Sequence, residues 1–186
     1  MTTRADSVRV AHPLFQTESG GSIPTSALQL RFYECDVKTA QELNKAWHSR
    51  LPKTSWSNLI RTCHLACYTA MCDGLYYATA IWTQPIARYC PQNEWLELRR
   101  MAISGDAPRN TASRMLAWMA KDIRKRWPEV SRLISYQDTD GHKGTIYSAA
   151  GWVAGDVGQR IKKGWDSRDR NAMQSKAPKI RWEKEL

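Results

Sequence analysis

The chain has 186 residues, 42% of them hydrophobic, with 28 Lys and Arg against 18 Asp and Glu, a formal net charge of +10. That suits one domain with its own core, or one domain with a tail, and argues against global disorder and against any need for disulfide or metal staples. No apolar run approaches the roughly 18 residues of a membrane span, and Met1 to Gly20 holds Arg4, Asp6, Arg9 and His12 without the apolar centre of a secretory leader.

Met1 to Ser26 is polar and turn-rich, and is expected to be a flexible extension through residue 27. Leu28, Leu30 and Phe32 alternate with polar residues at strand spacing. Asp36 can cap a helix whose apolar positions Val37, Ala40, Leu43, Ala46 and Trp47 carry it to about Arg50, where Leu51-Pro52 ends it. Arg61 to Met71 and Leu75 to Trp82 read as strands joined at the turn Asp73-Gly74. Trp95 to Ser104 is a third, central strand.

After the polar loop from Asp106, the residues Ala112, Met115, Leu116, Met119, Ile123 and Trp127 trace a helix stopped by Pro128. Leu133 to Tyr136 is a buried-strand candidate. Gly144 to Ala150 reads as a short helix with Gly151 at its end, and Trp152 to Ala154 opens another strand. Lys179 to Lys184 has the character of a last strand. The order implies a mixed α/β domain with one central sheet. Nine basic residues against four acidic ones lie between Gln159 and Leu186. That segment, with Arg160, Lys162 and Lys163, reads either as a phosphate-backbone binding surface or as a solvated tail.

Two units carry chemistry. In the first, the strand ending with Met101 and Ile103 feeds a small-residue loop and a helix start that carries Arg109, Asn110, Thr111, Ser113 and Arg114. Backbone N–H groups and the helix dipole there suit a diphosphate, and an ordinary capped β–α connection would also satisfy the pattern. In the second, Tyr147 stands four residues before Gly151-Trp152, as a proton donor or a packing residue. On the central strand, Glu97, Arg99 and Met101 are expected on one face and Leu98 and Arg100 on the other. Arg99 is taken as facing the active site. Ser135, Tyr136 and Asp138 fall at a strand's C-terminal end, where α/β sheets gather ligands. His142, in the loop after Asp138, joins them as a candidate. Five cysteines make reduced thiols in the cytoplasm the default, and their spacing with His64 is not a zinc pattern. Trp56 or Trp82 could grip a base, although core packing is the expected role of each.

Together the two units resemble the GNAT superfamily of N-acetyltransferases. Its pyrophosphate loop begins with Gln or Arg, has small residues at the fourth and sixth positions, and is approached by Arg109-Asn-Thr-Ala112-Ser-Arg114, with arginine where the last small residue belongs. Its closing pattern is met by Ile146-Tyr-Ser-Ala-Ala-Gly-Trp152. A narrower resemblance, carried by His48-Ser-Arg-Leu-Pro52, Glu97-Leu-Arg-Arg-Met101, Ala107-Pro-Arg-Asn-Thr111, Ser113-Arg114, Ser135-Tyr136 and His142-Lys-Gly-Thr-Ile-Tyr147, is to the Mom family of phage DNA-modification proteins.

That resemblance implies a GNAT-like catalytic domain over about residues 28–158, followed by the basic segment 159–186. It implies conversion of adenine in DNA to N6-carbamoylmethyladenine, which shields phage DNA from restriction in the host cytoplasm. It implies Arg99, Tyr147, Ser135 and Asp138 as catalytic residues. A donor, acetyl-CoA or another phosphate-bearing acyl donor, would lie on Met101, Ile103 and residues 109–114. Double-stranded DNA would meet His48, Arg50, Lys53, Tyr136, His142 and the basic segment. The alternatives are an acetyl-CoA-dependent N-acetyltransferase acting on a small amine or protein, and a DNA-binding protein with an inactive acetyltransferase fold.

Overall fold

The computed structural model describes residues 23–48, 63–87, 89–141, 143–158 and 178–186. Arg50, Lys53, Trp56, His142, Arg160, Lys162 and Lys163 lie outside them.

The first alternating stretch divides in two. Ala27–Gln29 forms a 3-10 turn, closed by a capping box between Ser26 and Gln29, and strand β1 follows at Arg31–Glu34. Helix α1 spans Val37–Trp47. Asp36 caps it by accepting hydrogen bonds from the Thr39 N–H at 2.9 Å and the Thr39 hydroxyl at 2.7 Å, and these bonds lower the Asp36 pKa. Strands β2 (Leu65–Cys72) and β3 (Leu75–Thr83) form the expected hairpin. Asp73 and Gly74 both have positive φ, 48° and 77°, as a two-residue turn of matching twist demands.

Strand β4 (Trp95–Ile103), helix α2 (Thr111–Arg126) and strand β5 (Arg132–Asp138) form the parallel crossover. The short helix α3 (Thr145–Ala149) leads into β6 (Val153–Gly158) and β7 (Lys179–Glu185). The seven strands lie in the order β1-β2-β3-β4-β5-β7-β6.

Each face of the sheet takes its own helices, because the apolar residues alternate along the strands. The larger core fills the α2 and α3 face. Met115, Leu116, Met119 and Ile123 recur at helical spacing and pack against Tyr68, Ala80, Trp82, Leu96, Leu98 and Leu133. On the other face Ala40 of α1 meets Cys67 and Ile81. Trp82 is fully buried with its indole N–H on the Met119 sulfur, so it is a core residue and not a base-gripping one.

Strand β7 enters between β5 and β6 and drives one large side chain into the main core. The Trp182 indole N–H donates to Gln137 Oε1 at 2.6 Å. Gly144, immediately before α3, has φ +73° and sits against this pair. A Cβ there would stand 2.4 Å from Gln137 Oε1 and 2.5 Å from Trp182 Cζ2. Gly74 has the same backbone sign but no atom within 4 Å of a built Cβ. Gly74→Ala should therefore cost only about 1 kcal/mol, from the left-handed backbone. Gly144→Ala should add overpacking and cost about 2–4 kcal/mol. Urea unfolding of the two variants checks the difference.

Candidate active site

The ladder between β4 and β5 pairs Trp95 with Arg132, Leu96 with Leu133, Glu97 with Ile134 and Leu98 with Ser135, and goes no further. Both strands continue: β4 to Ile103, β5 to Asp138. Backbone N–H and C=O groups on the facing edges of a parted pair need other partners. The parted strands thus form a fork beyond Leu98 and Ser135.

On its other edge β4 is irregular at the same point. Ile81 pairs with Arg100 and Trp82 with Leu98, so Arg99 is an extra residue, a bulge. The bulge resets the alternation of β4 and corrects the expected faces. Leu96 and Leu98 lie in the main core, and after the bulge Met101 and Ile103 return to it. Arg100 lies opposite Ile81 and so faces α1. Arg99 reaches Glu97, its Nε 3.8 Å from Glu97 Oε1. Both arginines therefore share the Glu97 face, instead of pointing to opposite sides of the sheet.

This cluster is short of acid. Glu97 is buried and its Oε2 accepts the Ile86 N–H at 3.0 Å. The 3.8 Å contact to Arg99 is longer than a charge-assisted hydrogen bond. Burial lowers the Arg99 pKa against the pull of Glu97. Burial, joined by repulsion from Arg99, lowers that of Arg100. Arg100 Nη1 donates to the Arg99 carbonyl at 2.6 Å, and its Nε is buried with no hydrogen-bond partner. Nearby, Glu183 accepts from Arg132 at 2.7 Å and from Arg181 at 2.5 Å. Half-buried guanidinium groups with so little carboxylate around them suit an anionic or strongly polar ligand.

From the opposite face, the Tyr147 hydroxyl meets Ser135 Oγ at 2.8 Å, beside the last rung of the ladder. The Tyr147 ring stacks on Trp182 at 5.3 Å and 17°, and takes Trp152 edge-on at 5.6 Å. Burial raises the Tyr147 pKa, opposed by the bond to Ser135. Tyr147 therefore holds its proton through the physiological range, as a donor must. Tyr136 and Asp138 alternate to the Glu97 side of β5. Burial raises the Tyr136 pKa, followed by the influence of Cys90, Glu97 and Tyr89.

The loop before α2 holds fewer free side chains than its composition implies. Asn110 has φ +68° and makes no side-chain cap. The Thr111 hydroxyl is buried on Pro108 O at 2.7 Å, and Ser113 Oγ donates to Asn110 O at 3.2 Å. Arg114 turns to the fold: its Nη1 donates to Ala27 O and to Leu30 O, the latter at 3.0 Å, and its guanidinium lies over Phe32. Arg109 is exposed. What remains for an anion is Arg109 and the first-turn N–H groups after Thr111, whose own N–H closes a turn on Pro108 O at 3.3 Å, at a helix without a side-chain cap. His48 caps the C-terminus of α1, its N–H on Asn44 O at 2.9 Å.

Sequence reasoning missed the bulge, and with it Arg100. It also missed Trp182, although the alternation of Ile180, Trp182 and Lys184 marks an inward tryptophan. Among the described residues no cluster of His, Cys, Asp and Glu could hold a metal ion.

The seven-stranded sheet with its flanking helices is the fold of solved N-acetyltransferases of the GNAT superfamily. The ribosomal-protein-S18-alanine N-acetyltransferase from Escherichia coli superposes with a TM-score of 0.56 at 14% identity, over 84% of this chain and 93% of that one. A GNAT family acetyltransferase from Elizabethkingia anophelis with acetyl-CoA bound gives 0.59 at 11%, over 85% and 99%. The ribosomal-protein-alanine N-acetyltransferase from Brucella melitensis gives 0.59 at 13%, over 84% and 99%. Among curated proteins none matches the chain in sequence. Within that fold the chain belongs to the Mom protein family, which it matches over residues 29–185.

Two outcomes test the geometry around Tyr147. Trp182→Phe should retain the stack and most turnover. Trp182→Ala should lower kcat at least tenfold with KM for the donor changed less, as steady-state kinetics would show. Because the folded pKa of Tyr147 is raised, its contribution to stability is present below the unfolded value of about 10 and lost as pH rises through the folded one. Denaturation midpoints followed upward from pH 9 should therefore fall, and fall less steeply in Tyr147→Phe.

Proposed function

We propose that this protein is a DNA-modifying transferase that converts adenine in double-stranded DNA to N6-carbamoylmethyladenine, protecting phage DNA from host restriction in the cytoplasm. The observation that carries the reading is the meeting of two faces at one fork: the arginine pair Arg99 and Arg100 on one side, the Tyr147–Ser135 hydroxyl pair on the other. Membership of the Mom family supports DNA as the substrate.

The residues present fit a phosphate-bearing acyl donor such as acetyl-CoA. Arg109 and the N–H groups at the start of α2 would hold its phosphates, and the open edges of β4 and β5, with Met101 and Ile103, would hold its stem. Plain acetyl transfer would give N6-acetyladenine, so the carbamoylmethyl product requires a donor of this class whose transferred group is CH2–CO–NH2, bonded through its methylene to the leaving group that N6 displaces. Arg114 leaves this set because it is engaged with the chain at Ala27 and Leu30.

The chain's own groups then have defined tasks. The adenine amino group is a weak nucleophile, so its position and the removal of its proton both matter. Arg99 would polarise the group under attack, helped by partial burial that strengthens its field. Asp138, on the Glu97 side of β5, would accept the proton. Tyr147 would donate a proton at its hydroxyl to the departing group, with Ser135 fixing that hydroxyl. Tyr136 and His48 would face the DNA, and Arg50, Lys53, His142, Arg160, Lys162 and Lys163 are proposed to join them.

Mass spectrometry of nucleosides from cells expressing the protein is the decisive measurement. The expected result is a new adenine adduct, reduced at least a hundredfold by Tyr147→Phe or Arg99→Ala. Unmodified DNA together with an acetylated amine or protein would establish an ordinary N-acetyltransferase. Salt-sensitive DNA binding with neither product would establish an inactive fold that only binds.

A further inference from the structure

Between β3 and β4, residues 84–87 and 89–94 lie on the Glu97 side of the sheet, where Ile86 touches Glu97. The underside of this loop is anchored. Pro85 and Cys90 are buried, and the Ile86 N–H donates to Glu97 Oε2 at 3.0 Å. Cys90 feels Arg181, Glu97 and Glu183 once its burial is counted. The loop is also braced from within. Gln92 Nε2 donates to Ala87 O and to Cys90 O, each at 3.0 Å, and Gln84 Nε2 donates to Gln92 O at 3.0 Å. The Cys90 N–H closes a turn on Ala87 O at 3.0 Å.

On this rigid base the upper side is apolar and open. Tyr89 is 82% exposed and Ile86 64%. A single exposed apolar residue needs no explanation. Two on one braced loop, beside the Arg99 and Arg100 guanidinium groups that have only the long Arg99–Glu97 contact between them and a carboxylate, are a different matter. Holding them still lowers the entropy lost when something binds them. The loop is tied to the arginine side through Glu97, and Tyr89 is close enough to act on the ionisation of Tyr136.

We propose that Tyr89, supported by Ile86, is a base-stacking wedge: it enters the DNA stack beside the target adenine and holds that adenine out of the helix, toward Arg99 and Arg100. DNA is the occupant that fits both halves of the surface. Its phosphates complement the arginines, and its base faces complement an exposed ring. An apolar or aromatic side chain inserted at a base step replaces the stacking lost when a base leaves. The inference rests on the reading of the protein as a DNA-modifying enzyme and adds the residue that opens the duplex.

Two measurements test it together. Fluorescence anisotropy compares binding of the full chain to a short paired duplex and to the same duplex with one unpaired, extrahelical adenine. Nucleoside mass spectrometry reads adducts in cellular DNA. The wild type should prefer the extrahelical adenine. Tyr89→Ala should lose that preference by about tenfold while binding the paired duplex with unchanged salt dependence, and should form less adduct. Tyr89→Phe should restore both. The inference is overturned if Tyr89→Ala keeps the preference and the adduct, or weakens both duplexes equally. Absence of any adduct with the wild type overturns the DNA reading itself, and the wedge with it.

Discussion

The site depends on one extra residue in β4. Arg99 has no partner across β3, and at that level the ladder to β5 stops. A bulge bends its strand and increases the local twist, and it lets two successive side chains leave by one face. Without it Arg100 would fall into the apolar core against α2, where a guanidinium has no partner. With it, two arginines gather on the Glu97 side, while Met101 and Ile103 return to the core. Charge placement, core packing and the opening of the fork thus share one backbone irregularity.

The opposite wall is built from aromatic contacts. Tyr147 is held by Trp152, Trp182 and Ser135, contributed by the loop before β6, β7 and β5. Such contacts fix the ring without adding a charge, so the phenol stays protonated beside a fork that would receive a polar donor. The polar work falls to the α1 face. The division keeps the arginine charges away from the phenol, whose proton a nearby cation would make easier to lose.

Much of this was legible in the sequence. Asp73-Gly74 announced its hairpin, because both residues tolerate positive φ. The spacing of Met115, Leu116, Met119 and Ile123 announced α2, because burial selects one helical face. The Tyr147 to Trp152 segment was legible as a unit because its helix, glycine and tryptophan are local. The misses are non-local. A bulge leaves no mark in the alternation of β4, whose residues read as a regular strand. The engagement of Arg114 with Ala27 and Leu30 joins residues more than 80 positions apart, and composition alone made it a phosphate ligand. Trp182 could be placed on a strand but not beside Tyr147, since strand order is set by packing rather than by chain order.

The place of β7 has a further consequence for the order in which the molecule comes together. Trp182 is separated from Gln137 by 45 positions, yet it bonds that residue and forms one wall of the tyrosine pocket. Chain that has left the ribosome only as far as α3 can pack α2 on the first strands, but its tyrosine lacks one of its two flanking rings. Closing this long loop is slow relative to local helix formation. The surroundings of Tyr147 are therefore among the last features to assemble, and incomplete chains would carry the fold's main core before that aromatic pocket is closed.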